Sequence, residues 1–247
     1  MCSSDLVAYE HNWATNIFGS PACRKMPTMN VMNYIPFKCL ATLTLKPSSC
    51  TKPAASNAVS IVSLDAAFIP GYNRFPMNDF PRPAVSDSAG TITMVWNDGR
   101  FNPAGDILLY SFTLGTLVGV QAAGPVVLNT SKGGWHMMPA LRNADADGNL
   151  SISFYGRASA NTDVTDVFAA IDVSPTTTSS PASNVLVTTA PSAWSFVSAD
   201  SVPNFGDYTD NYIQAQSAAP YTTEQLFVAW TDGRLGDPQP FSASSSI

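Results

Sequence analysis

Apolar and polar residues alternate along much of this chain in short runs. In Thr91-Ile92-Thr93-Met94-Val95-Trp96 the hydroxyl side chains alternate with Ile92 and Met94, the period of two that a half-buried strand requires. Asn149-Leu150-Ser151-Ile152-Ser153-Phe154 repeats the pattern. Each run is followed by an Asp that opens a second apolar strand, Asp106-Ile107-Leu108-Leu109-Tyr110 and Asp166-Val167-Phe168-Ala169-Ala170. A further short strand follows in each case, Val126-Val127-Leu128 and Val185-Leu186-Val187. Upstream stand Pro83-Ala84-Val85 and Pro139-Ala140-Leu141, each leading to a turn that ends in Gly90 or Gly148. The pattern therefore predicts an all-β chain built from units of four short antiparallel strands joined by polar turns.

The units carry a signature. Trp96-Asn97-Asp98-Gly99-Arg100 and Trp230-Thr231-Asp232-Gly233-Arg234 end two strands, and Phe154-Tyr155-Gly156-Arg157 is a worn copy between them. The turn glycine precedes the aromatic by six residues in both early units (96−90 and 154−148). The aromatics are 58 and then 76 residues apart (154−96 and 230−154), and the extra length falls at about Ser174 to Asp200, which reads as an inserted surface loop. Repeated four-stranded units predict a partial β-propeller. A β-sandwich explains the short strands but not the repeated turn chemistry. The expected organisation is an irregular segment with a remnant unit over residues 1–74, then units at about 75–132, 133–200 and 201–247. A residue present in every unit is expected to hold units together, so the repeat predicts architecture more readily than chemistry.

Composition narrows the class. Charged residues make up 12% of the chain and hydrophobic residues 45%, enough for a sizeable core. Glu10 and Glu224 are the two glutamates, and the five lysines are scattered, which excludes Glu/Lys-decorated amphipathic helices. The net charge of −6 without a basic run argues against nucleic acid and anionic membrane as partners. The uncharged stretch Ile107 to Ser131 is broken by Gly, Pro and hydroxyl residues into strand-length pieces, so no membrane span is expected. Cys2, Cys23, Cys39 and Cys50 all lie in the first fifth, a pattern that fits one disulfide plus a free thiol in an oxidising compartment, with secretion or cell-surface display expected. No C-x-x-C pair is present and His11 is the only imidazole nearby, so no metal site or cofactor is expected. No signal segment is visible, and Met1-Cys2-Ser3-Ser4-Asp5-Leu6 resembles a translated sequencing-adapter tail, which would make the chain part of a longer reading frame.

A unit of Pro-Ala, turn Gly, strand, Trp-x-Asp-x-Arg, then Asp and a further strand resembles the bacterial BNR-repeat, sialidase-like propellers, over roughly residues 75 to 247. Phe205-Gly206-Asp207-Tyr208 ahead of Leu226–Arg234 is similar to that family's closing blade. In the slot of its Asp-box this chain has Ser111-Phe112-Thr113-Leu114-Gly115-Thr116-Leu117-Val118, with Ser and Gly in register and the Asp, Thr and Trp replaced. The resemblance implies exo-sialidase-like glycoside hydrolysis, with a Tyr nucleophile activated by a Glu, an Asp acid/base and three Arg on the substrate carboxylate. Phe80-Pro81-Arg82-Pro83 stands nearest the family's early arginine motif, out of register.

These considerations nominate residues. Arg82, Arg100, Arg157 and Arg234 are candidates for a carboxylate clamp, or, for the last three, structural arginines bound to carbonyls or a neighbouring unit's Asp. Asp98 and Asp232 are expected to cap their turns. Trp135 and His136 are a candidate sugar-binding pair, or simply packed. Asp145-Ala146-Asp147-Gly148-Asn149 resembles half a calcium loop but occupies the slot of the turn Ser86-Asp87-Ser88-Ala89-Gly90. Functional residues in an array should be those that break it. Where the early units have Arg82-Pro83-Ala84-Val85 and Met138-Pro139-Ala140-Leu141, the third is expected to have Gly206-Asp207-Tyr208-Thr209. Asp207, Tyr208 and Glu224 are thus the catalytic candidates. Two functions follow: a glycan-directed sialidase-like protein, not cleaving sialosides as this chain stands, or a non-catalytic secreted propeller that binds a glycoprotein surface or another protein.

Overall fold

A computed structural model describes residues 8–10, 31–36, 38–39, 50–51, 59–62, 69–72, 81–114, 116–197, 209–214 and 223–247, those before residue 69 and residues 196–197 by their backbone alone. The fold is all-β. In the N-terminal part β1 (Ala8–Glu10), β2 (Val31–Pro36) and β5 (Val59–Val62) form an antiparallel sheet in the order β1-β2-β5. Beside it in sequence, β3 (Lys38–Cys39) pairs β4 (Cys50–Thr51), with Cys39 opposite Cys50 in backbone register. These strands lie in the segment expected to be irregular with a remnant unit.

Three antiparallel sheets follow in chain order. The first is β6 (Arg82–Ser86), β7 (Thr91–Asp98), β8 (Asp106–Thr113) and β9 (Val126–Val127), in the order β6-β7-β8-β9. The second is β10 (His136–Ala140), β11 (Leu150–Gly156), β12 (Val164–Val173) and β13 (Val185–Leu186) in that order, with β14 (Ser192–Ala193) also pairing β12. The third is β15 (Asp210–Gln214), β16 (Gln225–Asp232) and β17 (Gln239–Ser246). Consecutive strands are neighbours in these three sheets, except that β14 returns to β12 rather than pairing β13.

The sheets pack against one another in the same sequence. Ala84, Val95, Ile107 and Leu109 of the first meet Leu150, Ile152 and Phe154 of the second. On the other face of the second sheet, Met137, Tyr155, Val167 and Ala169 meet Ile213, Leu226, Val228 and Trp230 of the third. Ile92, Met94, Trp96, Leu108 and Phe112 cluster on the remaining face of the first. β7 and β11 are buried along their whole length. The alternating hydroxyls therefore do not face solvent as a half-buried strand would have them. Thr93 and Ser111 lie between sheets, with their hydroxyls 2.7 Å apart.

Trp96, Phe154 and Trp230 occupy the same place in the middle strand of each sheet. They stand opposite Leu108, Phe168 and Phe241 respectively. Phe154 packs toward the first sheet and Trp230 toward the second, while Trp96 faces away from the second. Gly90 and Gly148 close equivalent turns, each donating its N–H to the carbonyl of an Asp three residues back.

Three expectations need correction. Pro83 precedes Gly90 by seven residues but Pro139 precedes Gly148 by nine, and two register shifts absorb the difference. β10 advances three residues from Met137 to Ala140 while β11 advances two, from Tyr155 to Ser153. From Ala140 to Ala144 the chain advances four against three, Ser153 to Leu150. Met138, inside the first bulge, has φ of 51°, the left-handed region that non-glycine residues seldom adopt. Secondly, Asp210-Asn211-Tyr212-Ile213, not Gly206-Asp207-Tyr208-Thr209, pairs with β16 in the way Arg82-Pro83-Ala84-Val85 pairs with β7. Thirdly, the stretch from Ser174 onward is not all surface loop. Besides β13, which falls at the expected strand Val185-Leu186-Val187, it supplies β14 and the short helix α1 (Trp194–Val197), whose Trp194 is fully buried.

Candidate functional site

The repeated signature folds into a closed cluster. Asp98 is fully buried at the end of β7. Its Oδ2 accepts the indole N–H of Trp96 at 2.8 Å and Nη2 of Arg100 at 2.9 Å, and its Oδ1 accepts the backbone N–H of Arg100 at 2.9 Å and Nε at 2.8 Å. Asp232 repeats the arrangement. Its Oδ2 accepts from Trp230 Nε1 (3.1 Å) and from Nε and Nη2 of Arg234 (3.0 and 2.5 Å), and its Oδ1 from the Arg234 amide (2.9 Å). The amide contacts are the Asx caps expected of these aspartates. Among the described residues, each of these arginines binds its own unit's Asp, two residues back. Burial alone would push the Asp232 carboxyl up, but hydrogen bonds from the Arg234 side chain, its amide and Trp230, with the Arg234 charge, hold it below the usual range. Arg234 also reaches Thr189 Oγ1 at 3.0 Å and lies over the Phe241 ring, 4.8 Å from its centroid.

The middle copy lacks the acid for a steric reason. Gly156 takes the place of Asp98, and a Cβ there would stand 2.8 Å from the Phe168 ring and 3.5 Å from the His136 ring. Arg157 must therefore find other partners. Its Nε donates to Thr165 Oγ1 at 2.9 Å and its Nη1 to the carbonyls of Pro70 (2.7 Å) and Thr162 (3.0 Å). The guanidinium lies 4.7 Å over the Trp194 ring. Burial lowers its pKa to about 10, against an upward pull from Asp163. At 3% exposure it is not placed to grip a ligand from solvent.

In the first two sheets the residue after the aromatic ties one sheet to the next. Asn97 Oδ1 accepts the N–H of Met138 at 3.4 Å. Tyr155, in the equivalent position, donates its hydroxyl to the carbonyl of Thr231 and accepts the Thr231 N–H, both at 2.9 Å. Burial raises the pKa of this phenol, so it stays protonated.

Trp135 is buried and its indole N–H donates to the carbonyl of Ala160 at 2.8 Å, so it offers no face to a sugar. His136 is fully buried opposite Gly156. Its Nδ1 lies 3.1 Å from the carbonyl of Gly105 and its Nε2 lies 2.6 Å from the hydroxyl of exposed Ser131. Burial depresses its pKa, with Lys132 adding to that and Gly105, Asp106 and Gly134 opposing it.

Glu224 precedes β16 and accepts the N–H of Ala146 at 2.9 Å, in the turn that resembled half a calcium loop. That turn satisfies itself in part, since Asp145 Oδ1 accepts the N–H of Asn149 at 2.7 Å. Arg234 follows the other end of β16, whose eight residues at about 3.3 Å each set the two side chains roughly 25 Å apart. Glu224 and the signature arginines thus lie at opposite ends of the sheets. Arg82 heads β6, half-buried, opposite Val95. Asp207 and Tyr208 lie outside the described residues. Among the described candidates, only Trp135, His136 and Arg157 are neighbours, and their contacts are with the protein itself.

Two polar residues that no motif flags join the second and third sheets. Asn211, in the slot of Pro83, donates through Nδ2 to the carbonyls of Ala140 (2.9 Å) and Ser151 (2.8 Å). Asn143 exchanges hydrogen bonds with the backbone of Ile213. A register aligned on the strands rather than on Pro-Ala would have found Asn211. Tyr212, in the slot of buried Ala84, is 49% exposed on the open face of the third sheet. No helix among the described residues is long and apolar enough to cross a membrane. No protein-family model matches this chain, and no curated protein matches it either.

Proposed function

We propose that the three sheets are consecutive blades of a BNR-repeat, sialidase-like propeller, and that the chain is a secreted or cell-surface module that binds glycans or glycoproteins without cleaving sialosides. The equivalent aromatics and the in-order stacking of antiparallel sheets support the blade reading. One observation carries the non-cleaving reading: the repeated arginines are spent inside the protein. Arg100 is held by a two-oxygen fork to Asp98, Arg234 donates both Nε and Nη2 to Oδ2 of Asp232, and Arg157 is buried under Trp194. Clamping a substrate carboxylate requires guanidinium groups free to form that same fork. A glycosidase also needs an acid and a nucleophile converging on one bond. Glu224 is bonded to Ala146 far along β16 from Arg234.

Tyr212 is the best-placed binding group, an exposed ring on a sheet face able to stack on a sugar or a protein side chain. Incubation of purified protein with a fluorogenic sialoside tests the reading, together with calorimetric titration of sialylated and asialo glycans. Background release, with glycan binding weakened in Tyr212→Ala, is expected. Turnover that disappears in Tyr208→Phe would overturn it.

A further inference from the structure

The signature cluster breaks in the second sheet, and what replaces it is a hydroxyl–imidazole pair. Gly156 removes the acid, and His136 lies opposite it with Cδ2 3.5 Å from where a Cβ would stand. We propose that Ser131 and His136 form a nucleophile–base pair able to take an acyl group from a small carboxylic ester approaching from solvent.

The geometry has the required order. Ser131 is exposed, and its Oγ is 2.6 Å from His136 Nε2. The Gly105 carbonyl, 3.1 Å from Nδ1, can only accept, so it assigns the ring proton to Nδ1 and leaves Nε2 to accept from the serine. Asp106 Oδ1 lies 3.9 Å from the same Nδ1, and Asn129 Nδ2 fixes that carboxylate at 2.8 Å. The Asp106–Asn129 contact belongs to the frame, because Asp166 and Thr188 repeat it in the second sheet at 2.6 Å. Ser131 and His136 are additions to that frame. His136 is wholly enclosed, with its ring edge-on to Phe154, so its orientation is fixed. The charged groups acting on it are Asp106 from β8 and Lys132 from the loop, and with burial dominant the ring is neutral at pH 7, as a base must be.

In the step itself, Ser131 Oγ bonds the ester carbonyl carbon as its proton passes to Nε2. The tetrahedral adduct expels the alkoxide, which leaves with that proton as an alcohol. Water then attacks the acyl-serine, giving its proton to Nε2, and the serine oxygen recovers that proton as the carboxylic acid departs. Bond cleavage at a glycosidic carbon plays no part, so this inference stands apart from the binding role.

The test uses the whole chain with a fluorophosphonate probe and with p-nitrophenyl acetate, followed by peptide mapping. An adduct on Ser131, absent from Ser131→Ala, is expected, with a labelling rate that rises with pH to a plateau and has its midpoint below 6.5. His136→Gln should slow labelling by about 100-fold or more. Because that variant removes a buried group, Ser131→Cys provides a second measurement on an exposed position. Its alkylation by iodoacetamide should titrate below the ordinary thiol value of about 8.5, through a thiolate paired with His136. No adduct on Ser131 in the folded chain, or a thiol in Ser131→Cys that titrates at or above about 8.5, would overturn the proposal.

Discussion

Asp98 accepts from an indole, an amide and two guanidinium nitrogens while fully buried. Removing it leaves the Trp96 N–H enclosed and unpaired, so Asp98→Ala should cost about 2–4 kcal/mol in urea unfolding, and Asp98→Asn less. Tyr155→Phe strips a partner from both the N–H and the carbonyl of Thr231, and should cost about 1–3 kcal/mol. His136 gives a pH test. Its folded pKa is depressed, so below about 6.5 the unfolded chain binds a proton that the folded chain resists. Stability should therefore be level above about pH 7 and fall as pH drops toward 5. In His136→Gln that slope should flatten, whatever the variant's overall stability, and an unchanged slope would place its origin elsewhere. Asp232 works in a lower window. Its folded pKa is also depressed, so its contribution is present above about 4 and is lost as pH falls further.

At the scale of elements, the two equivalent turns differ in what surrounds the glycine. Gly90 has φ of 63°, and a Cβ added there would meet nothing within 4 Å. Gly148 has φ of 93°, and a Cβ there would run into the Ser88 hydroxyl and stand 2.7 Å from that of Ser86. Gly90→Ala should cost about 1 kcal/mol through the backbone alone. Gly148→Ala should cost at least twice that, because Ser86 Oγ also donates to the Gly148 carbonyl and must move. Equal melting-temperature losses would contradict the packing at Gly148. The strands themselves were legible because period-two runs and turn glycines are local signals: β7, β8, β11 and β12 fall where the apolar runs predict. Register was less legible. The bulge in β10, the second shift between Ala140 and Ala144, and the start of β15 at Asp210 are set by packing between sheets, which no local pattern encodes. Trp194 sits in a Ser/Thr/Pro-rich stretch whose composition reads as surface, yet it is enclosed by Tyr155, Tyr72 and Arg157. The site was legible only in its negative aspect. The repetition of Arg100 and Arg234 announced a structural role, while the Ser131–His136 contact joins two residues that no motif links.

Over the whole molecule, the sheets are joined by polar contacts at each step as well as by apolar faces. Ser86 binds the Gly148 carbonyl between the first and second, and Asn211 bridges Ala140 and Ser151 between the second and third. Asn211→Ala should cost about 1–3 kcal/mol by leaving two carbonyls unpaired. Hydrogen exchange should then show protection falling in β15 and β16 before it falls in β7. The arginines of the signature belong to this framework, and a double-mutant cycle on Asp232→Ala and Arg234→Ala, read by urea unfolding alongside sialoside titration, tests that assignment. A coupling of about 1–3 kcal/mol, with sialoside binding no different between wild type and Arg234→Ala, is predicted. A coupling near zero, together with sialoside binding that is lost in Arg234→Ala, would contradict it.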